Sequence, residues 1–329
     1  METQFNFRDV FAKEPFYVKV VKDPKTGKDC HIPSFVPGKH YAINFGKQWA
    51  RFRSIQLDSV NGTTISQSYL EKLIGSPIES LKGQNVMEIG AGAGRFTEHL
   101  VRFAKQVVAV DLSEAIFVNS ALGAENLVAA QANLLEMPSL KMQFDLVYCR
   151  GVLQHTPDPV QSITQLHRWI KPEGMVAFDI YKPGTLGKLG AKYLLRPVIQ
   201  RLFTYETFLK FLESHAAPLL RLRWKIKPFL PGKTKNILDF VLPIYDYRDV
   251  FNLTEEQLIE WGKLDTLDAF FAHYDNPMSC DSVLAALQDI GVKVLAADRE
   301  RNFFRSTISC KTDVQHKEYC IHLAGRPVV

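Results

Sequence analysis

Three glycines at alternate positions, with an acidic residue before them, are the feature of this chain that most clearly points to ligand binding. Glu88 closes an apolar run, and Gly90, Gly92 and Gly94 come next. Glycine lacks a Cβ atom, so a turn with this spacing can bring backbone N–H groups against a bound nucleoside. A helical pattern begins at Arg95, and the free N–H groups and positive dipole end of that helix would face the same ligand.

A dinucleotide-binding turn is the competing interpretation, and the spacing disfavours it. That turn requires G-x-G-x-x-G after a strand. Counted from Gly90, the sixth position is Arg95, and the third glycine comes one residue early. The carboxylate of Glu88 would repel a pyrophosphate, whereas it would attract the ammonium group of an amino acid moiety.

A second carboxylate follows about twenty residues further on, which is the spacing expected for the end of a neighbouring strand. Residues Gln106–Asp111 have the apolar, β-branched pattern of a buried strand, and Asp111 ends it. A carboxylate in this position can accept hydrogen bonds from two ribose hydroxyls. Leu112 would then cover one face of an adenine ring.

A fourth predicted strand, Phe144–Cys149, leads into a loop that contains a candidate catalytic residue. In a doubly wound sheet the loops at the carboxyl ends of the strands form the binding site. His155 lies in this loop, and imidazole titrates near neutral pH, so His155 is the candidate general base for a hydroxyl acceptor. A structural role, in which His155 only hydrogen-bonds its own loop, is the alternative.

These segments resemble the class I S-adenosylmethionine-dependent methyltransferases. The glycine turn is similar to motif I of that family, written (V/L)(D/E)xGxGxG, and residues 144–159 are similar to its "FDLV…GVLxHxPDP" segment. The resemblance implies S-adenosylmethionine as cofactor and a Rossmann-like α/β fold with a doubly wound sheet of seven strands. It also implies an N-terminal helical extension and a mainly helical insertion after the fifth strand.

The cofactor contacts that the resemblance implies fall on the turn and on the strand ends. They are Glu88, Gly90, Gly92, Gly94, Asp111, Leu112, Asn133, Leu134 and Arg150. The family usually has an aspartate where this chain has Asn133, but an amide carbonyl can still accept a hydrogen bond from the adenine amino group.

Residues 1–80 are predicted to form an extension that covers the cofactor. Their "IPxFV…YAxxFGxQWxxF" and "QLDSxxG" segments are similar to a bacterial subgroup with a small zinc-ribbon remnant. Cys30 and His31 are the possible zinc ligands here, and tetrahedral zinc requires four, so no metal is expected. Gln48, Arg51 or Arg53 would lie near the cofactor carboxylate, unless this helix serves only to pack on the sheet.

Three further segments complete the predicted organisation: the cofactor-binding core at 81–181, a substrate-capping insertion at 182–277, and the end of the core with its tail at 278–329. Residues 182–235 contain twelve Lys or Arg and two acids, whereas the whole chain has a net charge of +5. A solvated basic lid, a site for an anionic substrate and contact with an anionic membrane surface all remain open. His273 and Tyr274, in a stretch similar to "LDTxD…YDxP" of the same subgroup, are candidate substrate contacts, with structural roles as the alternative.

Composition sets the broad class and the expected compartment. The chain has 329 residues, of which 46% are hydrophobic, so it can bury a full core. Five cysteines without a C-x-x-C pair, and a start that lacks signal-peptide features, predict a reducing cytoplasm.

The expected function is methyl transfer to a small-molecule acceptor, with a hydroxyl favoured. The setting would be secondary metabolism or the biosynthesis of sugar or lipid intermediates. An RNA methyltransferase is one alternative, although the sequence has no RNA-recognition module and no nucleic-acid partner is expected. A non-catalytic binding protein that keeps the fold is another, which the intact Glu88, glycines and Asp111 disfavour. The acceptor itself and the oligomeric state stay open.

Overall fold

The computed structural model describes residues 5–23, 26–184, 191–231, 242 and 244–308. These residues form a single sheet of nine strands with helices on its faces. The strands are β1 Tyr17–Lys22, β2 Asp29–Ser34, β3 Asn85–Ile89, β4 Gln106–Asp111, β5 Leu127–Gln131, β6 Phe144–Cys149, β7 Ile170–Asp179, β8 Lys293–Asp298 and β9 Phe303–Thr307.

The strand order is β1-β2-β5-β4-β3-β6-β7-β9-β8. Strands β3 to β7 run parallel, and β9 runs antiparallel to both β7 and β8. Successive strands are added on one side of β3 up to β5 and on its other side from β6 onward. The loops after β3, β4 and β6 therefore meet at the carboxyl edge where the order reverses, which is the place where doubly wound sheets bind ligands.

The prediction of seven strands was wrong because the N-terminal extension contributes a hairpin, where only helices were expected. Strand β1 pairs antiparallel with β2, and β2 joins the edge of β5 through Ser34 and Gln131. The Gln131 Oε1 atom accepts hydrogen bonds from Ser34 Oγ (2.7 Å) and from the Tyr17 hydroxyl (3.1 Å). Strand β1 is largely exposed, but Tyr17, Val18, Val20 and Val21 are strand-forming residues, so the sequence carried a signal for this strand that the prediction missed.

The α-helices alternate with the strands in the core and dominate the insertion. They are α1 Phe7–Val10, α2 Ile43–Arg51, α3 Arg53–Gln56, α4 Asp58–Asn61, α5 Ile65–Ile74, α6 Thr97–Phe103, α7 Pro159–Leu166, α8 Ala191–Leu202, α9 Tyr205–Ile226, α10 Glu255–Phe271 and α11 Cys280–Asp289. Their starts follow local chemistry: Asp158 caps α7 ahead of Pro159, and Thr254 caps α10.

The insertion has an apolar core of its own, and the N-terminal extension takes part in it. Phe52 and Ile55 of the extension are buried against side chains such as Phe208, Leu264 and Phe270. The Nε2 atom of the buried Gln48 donates to the Leu264 carbonyl (3.3 Å). The extension is thereby fixed to the insertion, so the two together cover the carboxyl edge of the sheet.

Part of the basic segment predicted at 182–235 lies outside the described residues, namely 185–190 and 232–235. Among the helices that the structure does describe, none combines the length and apolar character needed to cross a bilayer.

Candidate active site

A cavity of about 300 Å³ opens at the carboxyl edge of the sheet. Its walls come from three parts of the chain: the loops of the core, the N-terminal extension and the insertion. The lining residues that matter below are Tyr41, Trp49, Arg53, Tyr69, Gly90, Gly92, Arg95, Asp111, Leu112, Leu134, Arg150, His155, Asp179, Tyr247, Phe251, Trp261, Asp265 and Asp268.

The glycine turn forms the floor of this cavity. Gly90, Gly92 and Gly94 have φ values of +76°, +50° and +95°, a region that L side chains rarely adopt. A Cβ atom on Gly90 would lie 2.0 Å from Val152 Cγ2, and one on Gly94 would lie 2.5 Å from the Ser120 backbone N. Gly90 and Gly92 line the cavity, whereas Gly94 permits close packing behind the turn.

Asp111 connects the turn to the next strand. Its Oδ2 atom accepts a hydrogen bond from the Gly92 N–H (2.8 Å), and Oδ1 accepts from the N–H and hydroxyl of Ser113 (2.6 Å each). Burial raises the pKa of this carboxyl, while the hydrogen bonds from Ser113 and Gly92 oppose that rise. Three of the roughly four lone-pair sites of this partly accessible carboxylate are therefore occupied, which leaves one on Oδ2 that can accept from a ligand hydroxyl.

Besides Gly94, two predicted cofactor contacts lie outside the cavity lining. The Glu88 side chain is 1% exposed, and its Oε2 accepts from the Thr97 hydroxyl (2.6 Å) beneath the turn. Burial raises the pKa of Glu88 to about 8, although the hydrogen bond from Thr97 lowers it. Asn133 uses its Oδ1 atom to accept from the Leu135 N–H (3.1 Å) and so caps a short 3₁₀ helix. Their contacts with the ammonium group and with adenine stay predictions.

Arg150 lies in the cavity wall and is paired with a carboxylate from the neighbouring strand. Its Nε atom is 3.5 Å from Asp179 Oδ2, and its guanidinium carbon is 4.1 Å from the centre of the Tyr69 ring. Asp179 Oδ1 accepts from the Gly151 N–H (2.6 Å). Burial opposes the charge on Arg150, but the attraction of Asp179 outweighs it and raises the pKa of the guanidinium.

His155 is brought into the cavity by the loop after β6, and its two ring nitrogens have different surroundings. Nδ1 lies 3.0 Å from the Tyr274 carbonyl oxygen. A carbonyl can only accept, so Nδ1 carries the proton of the neutral ring and Nε2 holds a lone pair. Nε2 lies 3.7 Å from Asp268 Oδ2, and the ring packs against Phe45 and Tyr181.

His273 and Tyr274 lie beside the cavity rather than in its lining. The Tyr274 ring meets the Tyr41 ring edge-on, with centroids 5.0 Å apart, and the His273 ring is 6.4 Å from the same ring. Tyr41 itself lines the cavity. Tyr274 thus reaches the site through its carbonyl bond to His155, and substrate contact by either side chain stays a prediction.

Two acidic residues of α10 were missed as site residues, although their spacing carries a signal. Asp265 and Asp268 are three residues apart, so they share one helix face, and both line the cavity. The Tyr247 hydroxyl donates to Asp265 Oδ2. Burial raises the pKa of Asp265 to about 6, with Tyr247 opposing the rise. Acidic residues at this spacing on an otherwise buried helix favour a site over a solvated surface.

Comparison with known proteins bears directly on the glycine turn and the loop that follows β6. Residues 87–178 match the model of the family described as Methyltransferase domain. This part of the chain is similar to a methyltransferase domain. The match runs from the end of β3 to the end of β7, so it contains the glycine turn, Asp111, Arg150 and His155.

Curated proteins that match part of this chain are also named as methyltransferases. The chain is 30% identical over 143 residues to the ubiquinone biosynthesis O-methyltransferase of Pseudomonas entomophila (strain L48), which covers 40% of this chain and 60% of the relative. It is 28% identical over 151 residues to the enzyme of the same name from Bordetella avium (strain 197N), with 43% and 61% covered. The chain therefore spans about 60% of the length of these relatives.

Solved structures of methyltransferases also resemble the chain. Magnesium protoporphyrin IX methyltransferase from Synechocystis PCC 6803, with bound SAH, is 13% identical, and the match covers 82% of this chain and 97% of that one with a TM-score of 0.43. A methyltransferase from Mesorhizobium loti is 24% identical over 31% of this chain and 49% of that one, with a TM-score of 0.29.

S-adenosylmethionine is the methyl donor of this kind of domain, and the cavity residues fit it. Gly90 and Gly92 expose the backbone of the turn to the cavity, and Asp111 offers a carboxylate next to that turn. The ring of Trp49 lies 3.8 Å from the position that a Cβ on Gly92 would take, and Leu112 and Leu134 add apolar surface. This set combines polar groups suited to a ribose with flat apolar walls suited to a purine.

Proposed function

We propose that the protein is an S-adenosylmethionine-dependent methyltransferase that acts on a hydroxyl group of a small molecule. One observation supports the hydroxyl above all: the lone pair of His155 Nε2 in the cavity, with the Asp268 carboxylate 3.7 Å from it. A hydroxyl acceptor must lose a proton during transfer, and an imidazole held in this tautomer can take it.

The proposed cofactor contacts divide between the core and the extension. Asp111 would accept a hydrogen bond from a ribose hydroxyl, and Leu112 and Leu134 would pack on the adenine. Arg53, which lines the same cavity, is the proposed partner of the cofactor carboxylate. The extension would thus complete a cofactor site whose floor belongs to the methyltransferase domain.

The proposed mechanism needs little covalent chemistry from the protein. Bound S-adenosylmethionine supplies a methyl group on a positively charged sulfur that leaves as a neutral thioether. The walls of the cavity hold the acceptor oxygen in line with that group, which lowers the barrier mainly through positioning. His155 Nε2 accepts the hydroxyl proton, and the Asp268 carboxylate stabilises the imidazolium that results.

The acceptor class is proposed from the relatives and from the site together. Two curated relatives of the domain are named as O-methyltransferases of ubiquinone biosynthesis. For this chain we propose a small acceptor from secondary metabolism or from a sugar or lipid-intermediate pathway. Mass spectrometry of small molecules that copurify with the protein would identify it.

Binding of the cofactor is the direct test of this function. Isothermal titration of the protein with S-adenosylmethionine, S-adenosylhomocysteine and NAD should give micromolar binding of the first two and none of the third, since Arg95 replaces the glycine that a pyrophosphate turn requires. Binding of NAD, or of none of the three, would contradict the proposal.

We also propose that the outer face of α8 contacts an amphiphilic surface from which such an acceptor could be taken. Leu194, Val198 and Leu202 recur every four residues and are 48%, 52% and 70% exposed. The inward residues of the same helix, Leu195 and Ile199, pack on the insertion core. A helix whose apolar stripe is left exposed by the residues that the structure describes, in a basic segment, is suited to anionic lipid.

Vesicle binding tests this surface. The wild type should cosediment with phosphatidylglycerol vesicles more strongly than with phosphatidylcholine vesicles, and Val198→Glu with Leu202→Glu should reduce binding at least fivefold. Val250→Glu, which changes an exposed valine outside α8, serves as the control. Equal sedimentation of the wild type and the double variant would rule the surface out.

A further inference from the structure

Arg95 contributes a half-buried guanidinium to the cavity wall. It follows the glycine turn, and no carboxylate oxygen of the described residues lies within 4.0 Å of its guanidinium nitrogens. Asp265 and Asp58 attract it only from beyond that distance. A cation that lines a cavity without a direct ion-pair partner among the described residues is suited to bind an anionic group of a ligand.

The acidic residues whose charges act on Arg95 each have another hydrogen-bond or ion-pair partner. Asp58 lies 3.2 Å from the His99 ring and accepts from the Ser66 and Gln67 N–H groups. Asp265 is held by the Tyr247 hydroxyl. Asp179, the third acid on this side, pairs with Arg150. None of these three carboxylates therefore forms an ion pair with Arg95.

The Arg95 side chain lines the cavity and is hydrogen-bonded to the protein through its Nε atom. Arg95 Nε donates to Ser66 Oγ (3.1 Å), and within the described residues the four terminal N–H donors have no acceptor. Aromatic rings fix its plane, with the guanidinium carbon 5.1 Å from the Phe96 ring centre and 5.2 Å from that of Trp261. Burial and the neighbouring charge of Arg150 lower the pKa of Arg95 to about 10, so it stays protonated at neutral pH.

The guanidinium of Arg95 lies next to a part of the cavity wall that the insertion contributes. Trp261 belongs to the insertion, as do Phe251 and Tyr247, and their rings pack in sequence with centroids 4.8 Å and 5.2 Å apart. Asp111, Leu112 and Leu134 belong to the core. Arg95 is thus the residue of the turn whose charge faces the aromatic wall of the insertion.

We propose that Arg95 binds an anionic oxygen group of the methyl acceptor, a carboxylate or a phosphate, while the flat body of the acceptor packs on the Trp261–Phe251–Tyr247 wall. This inference rests on the proposed function and adds the chemical class of the acceptor to it. The cofactor also has a carboxylate, so the two sources of the anion must be separated by experiment.

The test uses small probes that differ only in charge. Protein saturated with S-adenosylhomocysteine is titrated calorimetrically with benzoate, phenyl phosphate and benzamide. At least one of the two anions should bind ten or more times more tightly than benzamide, and Arg95→Gln should abolish that preference. Arg95→Lys, which keeps the charge, should retain part of it, and the exposed Arg102→Gln of α6 should leave it unchanged.

Cofactor binding by the same variants separates the two sources. If Arg95 serves the acceptor, Arg95→Gln binds S-adenosylhomocysteine within about twofold of the wild type, which also shows that it is folded. A tenfold loss for S-adenosylhomocysteine without a loss for 5′-methylthioadenosine, which has no carboxylate, would assign Arg95 to the cofactor and overturn the inference. Equal binding of the anions and benzamide by the wild type would overturn it while leaving the proposed function intact. A wild type that does not bind S-adenosylhomocysteine would overturn both.

Discussion

Replacement of His155 by alanine is expected to lower kcat for methyl transfer by about 10² to 10⁴-fold, the range in which a positioned general base contributes. The physical reason is that the acceptor hydroxyl would lose the lone pair that takes its proton. Initial rates with labelled S-adenosylmethionine and the acceptor identified by mass spectrometry measure the effect. The Kd for S-adenosylhomocysteine should stay within about twofold, because the ring lies on the acceptor side of the cavity.

His31→Ala is the matched control, since His31 is an exposed histidine of strand β2 that does not line the cavity. Asp268→Asn gives a second measurement. It removes the charge that stabilises the imidazolium but leaves Nδ1 bonded to the Tyr274 carbonyl, so kcat should fall less than in His155→Ala. A folded His155→Ala variant with kcat within threefold of the wild type would reduce His155 to a loop-stabilising residue.

Asp111→Ala is expected to weaken binding of S-adenosylhomocysteine by about 10- to 100-fold. One hydrogen bond from a ribose hydroxyl to a carboxylate contributes about 1.5 to 3 kcal/mol, which corresponds to that range. The substitution also releases the Gly92 and Ser113 N–H groups that Asp111 now holds. Isothermal titration gives the affinity, and thermal unfolding without ligand reports the cost of losing the internal bonds.

Glu114→Ala controls for the loss of one acidic charge at the same loop, because Glu114 is exposed and outside the cavity lining. Asp111→Asn keeps one acceptor oxygen and should fall between the wild type and Asp111→Ala. Unchanged affinity in a folded Asp111→Ala variant would show that the ribose is held elsewhere, and the proposed orientation of the cofactor would be wrong.

The sequence was sufficient for the elements whose pattern is local. Strands Gln106–Asp111 and Phe144–Cys149 have the bounds that their apolar runs predict, because buried parallel strands are apolar on both faces. The glycine spacing indicated a backbone turn with positive φ, which the structure has at all three positions. The start of α7 at Pro159 likewise follows from an Asp cap and a proline at the first helical position.

Two predictions failed or stayed open because burial depends on what packs against a residue. The hairpin β1–β2 joins the edge of β5, and although the valines of Tyr17–Lys22 favour a strand, they do not show which sheet edge it joins. Glu88 looked like a ligand-facing acid, yet the Thr97 hydroxyl takes its carboxylate beneath the turn. Neither the strand edge nor the position of Thr97 relative to Glu88 can be derived from spacing along the chain.

The sequence alone determined that this chain has a glycine-turn α/β core with Asp111 and His155 at strand ends, since those features depend on neighbours within one βα unit. Only the tertiary structure decided which groups meet in the cavity. Asp265 and Asp268 come from a helix more than a hundred residues after His155, and Arg53 comes from the extension before the core. Their convergence depends on how the insertion and the extension pack over the sheet, and long-range packing of this kind leaves no periodic mark in a sequence.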